Sequence, residues 1–128
     1  MNAVGEEDGP LRVLIVDDES LARRGLKLRL MDCDDVVIVG ECENGRDALC
    51  AVAQLQPDLV FLDIQMPGLD GFDVVRELPG DSLPLIVFVT AFDHYAVQAF
   101  AVNAVDYILK PVEQDRLRLA VTRAREKC

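Results

Sequence analysis

The sequence predicts one doubly wound α/β domain: a parallel sheet with helices on both faces. Three observations predict it. Apolar runs and helix-like segments alternate five times along a chain of 128 residues, which fits one domain. Three of the runs, LRVLIV, LVFL and LIVFV, are nearly continuous in apolar content, the pattern of strands covered on both faces. The breaker clusters QPD, MPGLDG, LPGDSLP and KP fall between the elements.

Each element has its own signal. The first strand is expected over Leu11–Val16, and Glu19 or Ser20 opens the helix after it. Val36–Gly40 forms the second strand. Asn44 can cap a helix from Gly45 to about Leu55, with Ala48, Val52 and Leu55 on one face. Leu59–Leu62 is the third strand, and Asp70 or Gly71 starts the next helix. Leu85–Val89 is the fourth strand, followed by a helix over HYAVQAFAV that Asp93 can cap. Ala104–Ile108 is the fifth. In the last segment Leu117, Ala120, Val121 and Ala124 repeat at i, i+3, i+4 and i+7, an inward stripe. Residues 1–10, rich in acid, glycine and proline, read as a flexible lead-in, and residues 11–128 as the domain.

Composition excludes some functions. The formal net charge of −10 argues against direct nucleic-acid binding, which needs clustered Lys and Arg. Basic residues do gather in RLRLAVTRAREKC. There a solvated helix face, with cations matching the helix dipole, is expected before a partner surface. No apolar run is long enough to span a bilayer, and no cationic segment followed by an apolar one opens the chain. Cys33, Cys42, Cys50 and Cys128 show no zinc spacing and are expected to be reduced thiols of a cytoplasmic protein.

In such folds ligands bind beyond the carboxyl ends of the strands, where strand order reverses. Those positions carry Asp17 and Asp18, Asp63, Thr90, and Lys110 followed by Pro111. Taken singly, each has an ordinary explanation: acids cap helices, Thr is a β-former, and Lys and Pro populate surface turns. Together they are complementary. Two carboxylates about 4 Å apart repel by roughly 4 kcal/mol at an effective dielectric of about 20. Three in one pocket either raise a pKa or recruit a cation. A hard divalent ion that keeps open positions for a phosphoryl group fits, Mg2+ first and Mn2+ as a substitute. A carboxylate can attack phosphorus, and Asp63, alone at its strand end, is the expected nucleophile. Asp17 and Asp18 suit the metal. A lysine, a hydroxyl and loop N–H groups would steady the phosphoryl oxygens.

The segments VLIVDDE, DLVFLDIQMPGLDG, VFVTA and DYILKP resemble the four motif blocks of two-component response regulator receiver domains, over residues 11 to 126. The resemblance implies a three-layer flavodoxin-like (βα)5 domain, a five-stranded parallel sheet in the order 2-1-3-4-5. It implies phosphorylation of Asp63 by a sensor histidine kinase, with Mg2+. It implies Asp17, Asp18, Asp63 and the backbone carbonyl of Gln65 as the metal ligands. It implies Thr90 and Lys110 as phosphoryl-contacting groups, Tyr107 as the switch aromatic, and a cis bond before Pro111. Phe92 and Met66 would border the entrance, Phe92 shielding the acyl phosphate from water. TAFDHYAVQAFAVNAVDYILKPV is similar to receivers that precede LytTR-type (LytR/AlgR) DNA-binding domains.

The function this implies is a phosphorylation-dependent switch, not an enzyme. The surface of the fourth helix, fifth strand and fifth helix would change to control a homodimer or an output DNA-binding domain, which lies outside this chain. A stand-alone receiver acting through protein contacts is an alternative. So is a metal-dependent phosphatase with an aspartyl-phosphate intermediate, although its D-x-D is here an adjacent DD. A flavin-binding relative is disfavoured because the acidic DDES loop repels phosphate.

Overall fold

The computed structural model describes residues 9–80 and 83–128. Ten elements alternate: β1 (Leu11–Val16), α1 (Ser20–Met31), β2 (Val36–Cys42), α2 (Gly45–Leu55), β3 (Leu59–Leu62), α3 (Gly71–Glu77), β4 (Leu85–Thr90), α4 (Ala96–Ala101), β5 (Asp106–Leu109) and α5 (Gln114–Lys127). The strands form one parallel sheet in the order β2-β1-β3-β4-β5. This is the flavodoxin-like (βα)5 arrangement. Strand order reverses at β1 and β3, so the crevice opens beyond Val16 and Leu62. Most of the expected lead-in, residues 1–8, lies outside the described residues.

Alternation along the strands divides the core in two. Leu14, Val16, Val60, Leu62, Ile86 and Phe88 point to the face covered by α2, α3 and α4. Val13, Ile15, Leu59, Phe61, Val87, Val89 and Ile108 point to the face covered by α1 and α5. The stripe on α5 is buried as its spacing requires, with Leu117, Ala120 and Ala124 fully covered.

The helix starts follow from local chemistry. The Asn44 side chain accepts the Asp47 N–H at 2.8 Å. Asp70 and Asp73 cap each other: the Asp73 N–H donates to Asp70 Oδ1 at 2.8 Å, and the Asp70 N–H to Asp73 Oδ2 at 3.0 Å. Glu19 precedes α1 without a side-chain cap bond.

Four expectations need correction. β2 runs on to Cys42 because Cys42 pairs with Val16, and the register slips at Val13/Leu14 to accommodate it. β5 starts at Asp106, because Asn103 takes φ +63° and the Ala104 N–H returns to the Ala99 carbonyl, finishing α4. Asp93 does not cap α4; Tyr95 precedes it, its ring 5.9 Å from Phe72, and the helix begins only after that anchor. The basic residues of α5 are more than a solvated face: Arg116 and Arg123 pair with Asp106, while Arg118 and Arg125 donate to carbonyls of the α1–β2 turn.

Candidate functional site

The sheet's own hydrogen bonding places the site. The ladder runs one residue past the strands. The Asp17 N–H donates to the Cys42 carbonyl at 3.1 Å, the Asp63 N–H to the Val16 carbonyl at 3.0 Å, and the Lys110 N–H to the Thr90 carbonyl at 2.8 Å. Strand geometry therefore extends into three of the expected site positions. Asp17, Asp63 and Thr90 are the buried polar residues among the described residues. Buried polar groups need partners, and these partners define the site.

One oxygen from each of Asp17, Asp18 and Asp63 lies within 4.8 Å of the others. Asp18 is exposed; the other two are buried. Lys110 Nζ bridges the pair, 2.8 Å from Asp17 Oδ2 and 3.4 Å from Asp63 Oδ2, with Glu19 Oε1 at 3.5 Å. Asp63 Oδ1 accepts the Ile64 N–H at 2.7 Å, and Asp17 Oδ1 accepts the Glu19 N–H at 2.9 Å. Burial, and then the neighbouring Asp17 charge, push the Asp63 carboxyl up to about 6, against the pull of Lys110 and the Ile64 N–H. Burial works against the Lys110 ammonium, but its bonds to Asp17 and Asp63 outweigh that and hold its pKa above the usual lysine value. Three carboxylates and one ammonium leave the crevice short of positive charge. Their oxygens converge closely enough to share a divalent cation, and hard carboxylate oxygens suit one.

Gly71 fixes how α3 approaches. Its N–H donates to the Ile64 carbonyl at 2.8 Å, and a Cβ there would stand 2.5 Å from the Asp63 carbonyl oxygen. Only glycine admits this contact. Gly68, at φ +79°, makes the turn ahead of it.

The other expected residues lie in or just beyond β3, β4 and β5. Thr90 is fully buried, and its Oγ1 lies 3.4 Å from the Phe92 N–H, which donates to it. The Phe92 ring meets His94 and Tyr95 edge-on, and its carbonyl accepts the Tyr107 hydroxyl. Gln65 is exposed, and its Nε2 donates to the Tyr95 hydroxyl at 2.9 Å. Met66 is buried beside it. The Lys110–Pro111 bond is cis.

Sequence reasoning missed two groups. Arg23 Nη1 donates to the Asp17 carbonyl at 2.7 Å, and Arg23 Nε pairs with Glu41 at 3.0 Å. Tyr95 ties the β3–α3 loop to the start of α4. Neither leaves a spacing pattern; Arg23 meets Glu41 only because α1 packs against β2.

Relatives share this architecture. The chain is 50% identical over 117 residues to the transcriptional regulatory protein BtsR of Salmonella typhi, a match covering 91% of this chain and 49% of that protein. It thus spans about half the length of the curated relatives it matches. The response regulatory domain of mrkE from Klebsiella pneumoniae superposes with a TM-score of 0.81 at 34% identity, covering 91% of this chain and 96% of that one. The signal receiver domain of the putative response regulator NarL from Mycobacterium tuberculosis gives 0.84 at 30% identity, covering 94% and 99%. These names, with a LuxR-family regulator from Staphylococcus aureus, correct the expected LytTR subclass to a BtsR-, NarL- and LuxR-type likeness. The aromatic stretch packs its own loop: Phe92 meets His94 and Tyr95 edge-on, and the His94 and Tyr95 rings lie tilted against each other. Residues 13–122 match the family described as the response regulator receiver domain, and the chain belongs to it.

Proposed function

We propose that this domain is a phosphorylation-dependent signalling switch in which Asp63 takes a phosphoryl group from a sensor histidine kinase. Receiver domains characteristically gain and lose this group on themselves and do not turn over a separate substrate. The observation that supports the reading most is the convergence of Asp17, Asp18 and Asp63 at the point where strand order reverses.

The chemistry follows from the groups present. An Asp63 carboxylate oxygen forms a bond to phosphorus as the donor's N–P bond breaks, and the electron pair leaves on the imidazole. Asp17, Asp18, Asp63 and the Gln65 carbonyl would hold Mg2+, or Mn2+ in its place. The ion would offset the carboxylate repulsion and the charge on the phosphoryl oxygens. Lys110, already within 3.4 Å of Asp63 Oδ2, keeps a cation beside the reacting oxygen. The Thr90 hydroxyl, fully buried at the adjacent strand end, supplies a donor. Burial of Asp63 limits the water that can hydrolyse the product, with Phe92 and Met66 at the rim.

The output lies on another face. Val97 and Phe100 on α4 and Leu109 on β5 expose apolar side chains. Thr90 and the Tyr107–Phe92 hydrogen bond link that face to the site. A homodimer or an output DNA-binding domain of a longer protein would use it; a stand-alone receiver would present it to another protein. The net charge of −10 keeps direct nucleic-acid contact away from this domain, and a cytoplasmic location suits a kinase partner. No helix among the described residues is long and apolar enough to cross a membrane.

The test is mass measurement after treatment with acetyl phosphate and Mg2+. Wild type gains one phosphoryl mass and Asp63→Asn gains none. Equal modification of both overturns the assignment.

A further inference from the structure

We propose that Arg23, braced by Glu41, is a positioning residue that aims the Asp17–Asp18 pair at a divalent cation; this rests on the metal-dependent reading above. Arg23 Nη1 donates to the Asp17 carbonyl oxygen at 2.7 Å. That oxygen belongs to the planar peptide joining Asp17 to Asp18, so holding it fixes the plane between the two side chains. The guanidinium's other edge is engaged as well. Arg23 Nε lies 3.0 Å from Glu41 Oε1, and Lys27 Nζ holds Glu41 Oε2 at 2.6 Å. The Arg23 side chain is 15% exposed, so this pairing is shielded more than an ordinary surface ion pair.

The contrast between the two acids shows why the clamp matters. Asp17 is tied at every polar atom: its N–H to Cys42, its carbonyl to Arg23, Oδ1 to the Glu19 N–H and Oδ2 to Lys110. Asp18 is exposed, and nothing among the described residues pairs with its carboxylate. Its position is inherited from the backbone, and Arg23 holds that backbone on the carbonyl side. A planar fork suits the task, since one edge grips a carbonyl while another grips a carboxylate; an ammonium is a point charge and cannot present the same fork.

Charge alone predicts the opposite effect. A guanidinium near a cation site repels the cation, so removing it should tighten binding. Positioning predicts that removing it weakens binding. The sign separates the two.

The experiment measures Mn2+ affinity by electron paramagnetic resonance on the intact chain, with folding checked by circular dichroism. Arg23→Met is expected to weaken binding about tenfold, the loss usual when a group that orients metal ligands is removed. Arg23→Lys, which keeps the charge and loses the fork, is expected to weaken it as well but less. Glu41→Gln should weaken binding in wild type and add nothing in an Arg23→Met background. In metal-free protein the Asp18 amide should exchange hydrogen faster in Arg23→Met. Equal or tighter Mn2+ binding by Arg23→Met, or by Arg23→Lys where Arg23→Met does not fold, overturns the proposal. Failure of wild type itself to bind Mn2+ overturns the metal-dependent reading on which it rests.

Discussion

Asp63 and Asp106 stand at opposite ends of neighbouring parts of the sheet, with side chains 7% and 6% exposed. Burial acts on both in the same direction, against the charged form. Their surroundings differ. Asp106 is gripped by Arg116, whose two nitrogens lie 2.8 and 2.6 Å from its oxygens, by Arg123 at 3.0 Å and by the Tyr107 N–H at 2.8 Å. Burial would raise its pKa, but these bonds outweigh it and hold the carboxyl below the usual value. Asp63 shares one lysine with Asp17 and Glu19, and its pKa is pushed up to about 6. Similar side-chain burial therefore accompanies a satisfied structural ion pair at one place and an unsatisfied, chemically poised group at the other. Side-chain burial alone does not set Asp63 apart from Asp106; the shortage of positive charge does.

Breaking the satisfied cluster should have the largest effect. Asp106→Ala leaves Arg116 and Arg123 without their shared partner. Both are partly exposed, which moderates the loss to about 2–3 kcal/mol. Urea unfolding reads it, and an unchanged midpoint would make the cluster ornamental.

The same measurement on Asp63→Asn should move the other way. Without divalent cation, removing a charge that burial and Asp17 disfavour stabilises the protein by about 1 kcal/mol. Destabilisation would mean that Lys110 already satisfies the carboxylate and that the two regions are alike.

Their pH profiles should also differ in sign. The raised pKa of Asp63 gives a contribution fully present below the ordinary 3.8 and lost as pH rises through about 6. The depressed pKa of Asp106 gives one present above the ordinary value and lost as pH falls through its lowered value. Metal-free wild type should thus lose stability between pH 4 and pH 6 relative to Asp63→Asn, read by thermal unfolding at each pH. Parallel profiles would contradict the comparison.

The smallest effect is expected at the rim. Phe92→Ala should leave stability nearly unchanged, because the residue is 39% exposed, and should speed loss of the acyl phosphate. An unchanged dephosphorylation rate would remove Phe92 from the shield.

Much of this was legible in the sequence, for a physical reason. Strands buried on both faces are continuous apolar runs, so β1 and β3 could be bounded to the residue. The first polar residue after such a run is where burial stops, which is why Asp17 and Asp63 stood out. Tertiary contacts without a spacing rule were hidden. Arg23 meets Glu41, and Asp106 meets Arg123, only because strand register and helix packing bring distant stretches together. The basic run of α5 therefore reads as a solvated face in sequence, although two of its arginines bind Asp106. A local capping rule sets the start of α4 too early, because Tyr95 is anchored by Phe72 and Gln65, neither of which such a rule can see.

The Asp17–Asp18–Asp63 crevice is short of positive charge, and its converging oxygens can coordinate a divalent cation. Calorimetric titration of Mg2+ into wild type at pH 7 and at pH 5 tests it most directly. One ion per chain is expected, with affinity falling at the lower pH as Asp63 takes up a proton across its value of about 6. No binding, or the same affinity at both pH values, would contradict the account.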